Sequence, residues 1–320
     1  MSTVVGAKCD CRNPPKLLSL LTRLPRKDGL IRSKIDNNRT RGRDKTMCDM
    51  CVINAVKNKM MSRRSFFKDV ARTGAAFAVG GAAAATAPAA MAAGHGSIED
   101  LTHTISDEFP TYFGEPGIEM NQLFNYAEHS FNLFEFRLNE HTGTHIDAPL
   151  HFSADGMSVD EIPVSNLVAP LCVIDIAARA ADDPDAQVTP DDIKAWIAAH
   201  GDIPAHACVA MHSGWSGKAN GDGYRNFDGD KQHYPGFHVE AAKMLLEETP
   251  AASIAVDTLS LDHGISADFA THYAWLPTGR FGIENVANLD KVPASGATLV
   301  IGGPKHKGGT GGPARLFAMI

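Results

Sequence analysis

Four side chains capable of binding a metal or moving a proton fall within the run His141-Thr142-Gly143-Thr144-His145-Ile146-Asp147-Ala148-Pro149-Leu150-His151. Imidazole nitrogens together with a carboxylate oxygen suit a divalent metal, Zn²⁺ or Mn²⁺, and no cysteine stands near enough in sequence to suggest a thiolate site. Three protein ligands leave a position open for water, which a metal makes acidic enough to ionise near neutrality. A fourth group, His151, is then free to carry protons to a leaving group.

Chemistry of this kind needs a particular backbone. In an extended chain, side chains alternate between faces, so positions 141, 143, 145, 147, 149 and 151 share one face and His145 and Asp147 point the same way. A flat strand would hold His141 and His145 roughly 13 Å apart, at about 3.3 Å per residue, which is the limit for two imidazoles sharing one ion. Gly143, lacking a Cβ, can bend the chain and swing His141 back. Thr142, Thr144 and Pro149 disfavour a helix. The motif is therefore expected on a bent strand or a strand-to-loop segment.

This run resembles the H-x-G-T-H-x-D-x-P-x-H signature of the metal-dependent cyclase family, which includes bacterial kynurenine formamidases and isatin hydrolases, and the match at 141–151 is complete. The resemblance implies that His141, His145 and Asp147 hold one metal. It further implies that Asp147 bridges to a second ion completed by His272 and Glu284, and that His151 is the general acid/base. One or two ions per subunit follow from it, together with a swivelling β/β/α architecture, an α/β single domain with a mixed sheet. His272 and Glu284 stand twelve residues apart, as the family's second pair does. Taken without the family they are weak signals, since Glu284-Asn285 is also compatible with a helix cap and His272-Tyr273 with a polar surface. The resemblance runs from about residue 98 to the C-terminus.

The N-terminal part has another character. Met61-Ser62-Arg63-Arg64-Ser65-Phe66-Phe67-Lys68, an apolar Ala/Gly-rich run over 75–92 and the small-residue site Ala90-Met91-Ala92 form a twin-arginine export signal. Its modest hydrophobicity opposes a stable membrane anchor. Residues 1–92 are thus expected to be an extension and signal peptide, with Met47 as an alternative start that would leave 1–46 untranslated, and 93–320 to be the hydrolase domain. Cys48 and Cys51, and Cys9 and Cys11, fall in the discarded part, and no second pair completes a zinc-finger spacing.

Of 30 Lys+Arg and 37 Asp+Glu, 18 and 6 lie in 1–92, which leaves 12 against 31 and a formal charge of −19 for the remainder. So acidic a surface excludes nucleic acid and anionic membranes as natural partners. A small-molecule substrate and a homodimer or higher homo-oligomer are expected.

Within 93–320, short apolar β-rich runs occur at 171–176, 208–211, 253–256 and 298–301. Between them, Thr189 as N-cap, Pro190 at the first helical position and Gly201 as stop predict one helix, and the spacing of Val239, Ala242, Leu245 and Leu246 predicts another over 239–248. Cys172 and Cys208 are expected as buried free thiols. The Gly/Asn-rich loop Trp215–Gly229 suits either a mobile lid or a surface excursion. The glycine-rich segment 302–312 lacks the ending of a phosphate loop, but its backbone could lie against the pocket.

These features predict an exported metal-dependent hydrolase that cleaves a C–N amide bond, in an aryl formamide or a cyclic amide. A periplasmic metal- or ligand-binding protein without turnover is the alternative, against which His151 argues.

Overall fold

The computed structural model describes residues 96–221 and 223–320. The expected signal peptide, with its twin arginines, cleavage site and cysteine pairs, lies outside the described residues. No helix among the described residues is long and apolar enough to cross a membrane.

A nine-stranded mixed sheet organises the chain. Its strands are β1 (Ile98–Asp100), β2 (His145–Asp147), β3 (Val168–Asp175), β4 (Cys208–His212), β5 (Ser253–Val256), β6 (Phe281–Glu284), β7 (Ala297–Gly302), β8 (Gly311–Pro313) and β9 (Arg315–Met319). They lie in the order β1-β9-β7-β3-β4-β5-β6-β2-β8. The central pairs β3/β4, β4/β5 and β5/β6 are parallel, whereas β7, β9 and β1 on one side and β2 and β8 on the other are antiparallel. Because β8 and β9 are joined through Ala314 alone yet sit near opposite ends of this order, the sheet must curl until its ends approach. Ala314 N–H donates to Thr144 O at 2.9 Å beside β2 and so fastens the closure.

The four apolar runs read from sequence are β3, β4, β5 and β7. Strands buried on both faces are apolar throughout, and β5 is an example, with all four residues buried. One face of the sheet packs Ile174, Met211, Ile254 and Val256 against the helices α1 (Ala177–Asp182), α2 (Pro190–His200), α3 (Val239–Glu248) and α4 (Ala270–Trp275), through Ala180, Ile193, Trp196, Leu245 and Trp275. The other face lines the inside of the curl, where Ile146, Val173, Ile283, Leu299 and Leu316 meet. Each fully buried aliphatic chain of this kind contributes about 1.5–3 kcal/mol.

Helix α2 has the expected ends. Thr189 Oγ1 accepts from Asp192 N at 3.4 Å, Asp192 Oδ2 accepts from Thr189 N at 2.7 Å, and Gly201 closes the helix with φ 90°. Such a cap contributes about 1 kcal/mol. The helix predicted over 239–248 is α3 with those bounds. Cys172 and Cys208 are buried and free.

The segment Trp215–Gly229 differs from expectation. Trp215 and Tyr224 are buried in a small core with Phe109, Tyr234 and Leu259, so the segment is not a surface excursion but is pinned to the body. A hairpin of Ile118–Phe124 with Leu133–Leu138 carries exposed Met120, Phe134 and Phe136.

Candidate metal centre

The register of three strands assembles the centre. Antiparallel pairing sets Glu284 of β6 opposite His145 of β2, and sets Gly282 of β6 and Gly311 of β8 on either side of Asp147. His145 Nε2 therefore lies 3.2 Å from Asp147 Oδ1 and 3.4 Å from Glu284 Oε2. The shared face expected for His145 and Asp147 is present. Gly143 makes the bend, with φ +64°, a left-handed conformation that costs glycine little. His141 is thereby swung back until its Nδ1 is 2.7 Å from Asp147 Oδ1. Gly311 permits this fold-back, because a Cβ there would meet Ile146 O and, at 2.7 Å, the Cε1 of His141.

His272 arrives from α4. That helix is anchored by Trp275 Nε1, which donates to Phe281 O at 2.9 Å, and by Thr271 Oγ1, which donates to Phe237 O at 2.8 Å. The helix thus presents His272 Nε2 to Glu284 Oε1 at 3.2 Å and to Asp147 Oδ2 at 3.6 Å. Glu284 is fixed in turn by Leu261 N–H, which donates to Oε1 at 2.9 Å. Glu284 belongs to a strand, so the helix-cap alternative fails, and His272 is buried while its neighbour Tyr273 is exposed.

Two sets of donors result, His141–His145–Asp147 and Asp147–His272–Glu284, each able to direct its ligand atoms to within 4.8 Å of one another, with Asp147 common to both.

Each histidine has an outward nitrogen that is tied down, which decides what the inward one offers. His145 Nδ1–H donates to Gly143 O at 2.8 Å. His272 Nδ1–H donates to Asp262 Oδ2 at 2.6 Å. His141 Nε2–H donates to Thr310 Oγ1 at 3.0 Å, and the Thr310 hydroxyl in turn donates a hydrogen bond to Glu140 Oε2. In these tautomers the lone pairs of His141 Nδ1, His145 Nε2 and His272 Nε2 all face the two carboxylates. Lone pairs aimed at anions are unfavourable unless a cation lies between them, and outer partners that orient histidines in this way accompany metal ligation. His145 Nε2 and Asp147 Oδ2 are buried without hydrogen-bond partners, as atoms meant for a metal would be. The donor set therefore fits a divalent ion.

The electrostatics agree. Burial would push the His145 imidazole down, but Asp147 and Glu284 raise it to about 10, and His272 is likewise held well above its ordinary value by Asp147, Asp262 and Glu284. Burial would raise Asp147, yet the charge of His145, with His141 and His272 also close by, holds it well below the usual carboxylate range. The carboxylates demand positive charge at this point, whether from protons or from a metal.

His151 is placed differently. It lies in the single turn Pro149–Phe152, stacked on the His141 ring with centroids 3.9 Å apart, and its ring is 6.1 Å from that of His272. It stands outside both donor sets, and among the described residues its side chain makes no hydrogen bond. Burial, with the charges of His141 and His272, lowers it to about 4 against the pull of Asp147.

His141, His145, His151, His272 and Glu284 line a cavity of about 450 Å³ together with Tyr112, Phe113, Phe152, Phe269 and Leu259, while Asp147 is buried behind them. Among the described residues no lysine or arginine lines the cavity. The structure thus brings together all six residues singled out in sequence. Asp262, Glu140, Thr310 and Asn285 were not foreseen. They lie far from the motif or carry no spacing signal, and only the position of Glu140, directly before His141, hints at a role.

A curled mixed sheet that gathers three histidines and two carboxylates under an apolar cavity defines an α/β protein built around a metal centre. The sequence profile of the Cyclase family matches residues 99–263, more than half of the chain, and the chain belongs to that family. It is 35% identical over 217 residues to an isatin hydrolase of Roseibium aggregatum, across 64% of this chain and 82% of the relative. It is 27% identical over 221 residues to a kynurenine formamidase of Salinibacter ruber, across 68% of this chain and 94% of the relative. Among solved structures, isatin hydrolase A from Labrenzia aggregata, bound to benzyl benzoate, superposes with a TM-score of 0.67 at 36% identity, covering 72% of this chain and 96% of the other. An isatin hydrolase bound to the product analogue thioisatinate gives 0.66 at 32% identity, over 71% of this chain and 93% of the other. His141 to His151 lie inside the segment that the family profile matches, and His272 and Glu284 lie beyond it.

Proposed function

We propose that this chain is a metal-dependent hydrolase of a C–N amide bond in a small, neutral aromatic substrate, a cyclic amide such as isatin before an aryl formamide. The observation that carries the reading is the convergence of three histidine lone pairs and two carboxylates beside the cavity. His141, His145 and Asp147 would hold one divalent ion, Zn²⁺ or Mn²⁺, and Asp147, His272 and Glu284 a second. When bound, such an ion polarises the substrate carbonyl and activates water.

The chain's own residues supply the rest. Tyr112, Phe113, Phe152 and Phe269 offer flat apolar faces to an aromatic ring and exclude water from it. Among the described residues the lining holds no lysine or arginine, which favours a neutral amide over a substrate bearing an amino-acid carboxylate, and so a cyclic amide over N-formylkynurenine. His151, stacked beside the donor set but outside it and held neutral near pH 7, would accept a proton as water attacks the carbonyl carbon and return it to the leaving nitrogen as the C–N bond breaks. That role opposes a binding protein without turnover, which needs no proton carrier. The test is hydrolysis of a panel of cyclic amides, aryl formamides and lactones by metal-stripped protein and by protein reloaded with Zn²⁺ or Mn²⁺. Tight metal binding with no turnover in any form would establish the binding protein instead.

Export through the twin-arginine pathway to the periplasm is part of the proposal and is supported by Arg63-Arg64, the alanine-rich run and Ala90-Met91-Ala92. Exported protein should begin near Ala93, and a mature N-terminus that still contains Met61 would contradict cleavage. Self-association is supported by the exposed apolar side chains of the hairpin, Met120, Phe134 and Phe136, and is checked by light scattering.

A further inference from the structure

Tyr224, in the segment Trp215–Gly229, reaches the metal centre from within the protein. It is fully buried, and Trp215 Nε1–H donates to its carbonyl at 2.8 Å. Its hydroxyl lies 2.8 Å from Asn285 Oδ1 and 3.2 Å from Asp257 O, and its single proton serves the nearer acceptor. Asn285 directly follows Glu284, in a left-handed backbone conformation with φ 56°. Its Nδ2 donates to Gly143 O at 3.0 Å, the same carbonyl that accepts His145 Nδ1–H at 2.8 Å.

These partners permit only one orientation of the amide. Gly143 O only accepts, so the NH₂ group must face it, and Oδ1 must then face a donor, which is the Tyr224 hydroxyl. Two donors saturate the Gly143 carbonyl and hold its peptide plane, in a residue whose left-handed conformation leaves it otherwise free to turn. Without the phenol proton, Oδ1 is left unpartnered and the amide has no reason to keep its NH₂ on Gly143. We infer that Tyr224 is a positioning residue for His145, acting through Asn285 and the Gly143 carbonyl to fix the direction and tautomer of the imidazole, an inference that rests on the metal-centred reading above. Burial, with Asp257 and Glu284 nearby, keeps the phenol protonated far above neutrality, so the donor is always present.

A purely structural Tyr224 would act through the packing of its ring, which phenylalanine retains. The test is the dissociation constant for Zn²⁺ alone, by competition with a chromophoric chelator, in the full chain and in Tyr224→Phe, Asn285→Gly and the double variant. Glycine at 285 keeps the left-handed backbone. Tyr224→Phe is expected to weaken Zn²⁺ by about tenfold, the lower end for losing an outer partner of a ligand. Asn285→Gly is expected to weaken it at least as much, and Tyr224→Phe to add nothing in the Asn285→Gly background. An unchanged constant in Tyr224→Phe, or the same loss in both backgrounds, overturns the relay while leaving the metal centre standing. Failure of the unaltered chain to bind Zn²⁺ overturns the metal-centred reading itself, and the relay with it.

Discussion

Asp262→Asn changes a single atom and so isolates what an outer carboxylate does for the centre. Asp262 Oδ1 accepts from Thr271 N at 2.8 Å, while Oδ2 accepts from His272 N at 3.2 Å and from His272 Nδ1 at 2.6 Å. Every partner is a donor, which a carboxylate can satisfy and an amide cannot. If the new NH₂ replaces Oδ1, it faces Thr271 N–H and one buried donor is left unpaired. If it replaces Oδ2, it faces His272 N–H and also drives the imidazole to the other tautomer, with the proton on Nε2 and no lone pair toward Glu284. Either arrangement costs about 1–3 kcal/mol for the unsatisfied buried donor, which lowers the melting temperature by roughly 2–4 °C per kcal/mol in a fold of this size. The short, charge-assisted bond to Nδ1 also makes Nε2 a stronger ligand, so metal affinity should fall by about 10–100-fold. Isothermal titration of stripped protein with Zn²⁺, beside thermal melts of metal-free protein, measures both. A variant that melts lower but binds Zn²⁺ as tightly as the parent would refute the assigned tautomer of His272 and, with it, the argument that its Nε2 is a ligand.

Three further outcomes are expected. His141→Ala and Asp147→Asn should each lose metal and activity together, and elemental analysis showing full metal in both would remove the proposed site. Because the carboxylates hold protons on His145, at about 10, and on His272, metal must displace them, so affinity should rise with pH up to about 10 with protons released; a pH-independent constant below that would contradict this. His151→Ala should keep its metal while kcat falls by about 10²–10⁴-fold, less for substrates with good leaving groups, whereas loss of metal would redraw His151 as a ligand.

How much of this was legible in the sequence depends on distance along the chain. The run from His141 to His151 could be read because its geometry is local: strand alternation places His145 and Asp147 together, and Gly143 has one evident use. Helix α2 was legible from Thr189, Pro190 and Gly201, and α3 from its spacing, for the same reason. His272 and Glu284 were legible only through the family resemblance, because they meet the motif through the pairing of β6 with β2 and the anchoring of α4, and the residues by themselves also suited a cap and a surface. The outer partners were hidden more deeply. Asp262, Thr310 and Asn285 act through single atoms whose placement follows from register and loop path. Polar composition also concealed that Trp215 and Tyr224 turn inward. In the glycine-rich segment the expected contact was through the backbone, whereas Thr310 contributes its hydroxyl and Gly311 the close approach that lets His141 fold back.

The centre and the closure of the sheet depend on each other. β2 carries His145 and Asp147 but has only three residues, and it is held between β6, which brings Glu284, and β8, which is a single residue from β9 at the far side of the sheet order. Opening the curl would part β8 from β2, removing Thr310 from His141 and the flank of Asp147 at the same time. Conversely, two buried carboxylates brought this close repel, and the repulsion opposes closure unless cations neutralise them. Protons on His145 and His272 can do so at the cost of occupying the very nitrogens a metal needs. A divalent ion neutralises the carboxylates and leaves those nitrogens as ligands, so binding it is expected to stabilise the closed sheet.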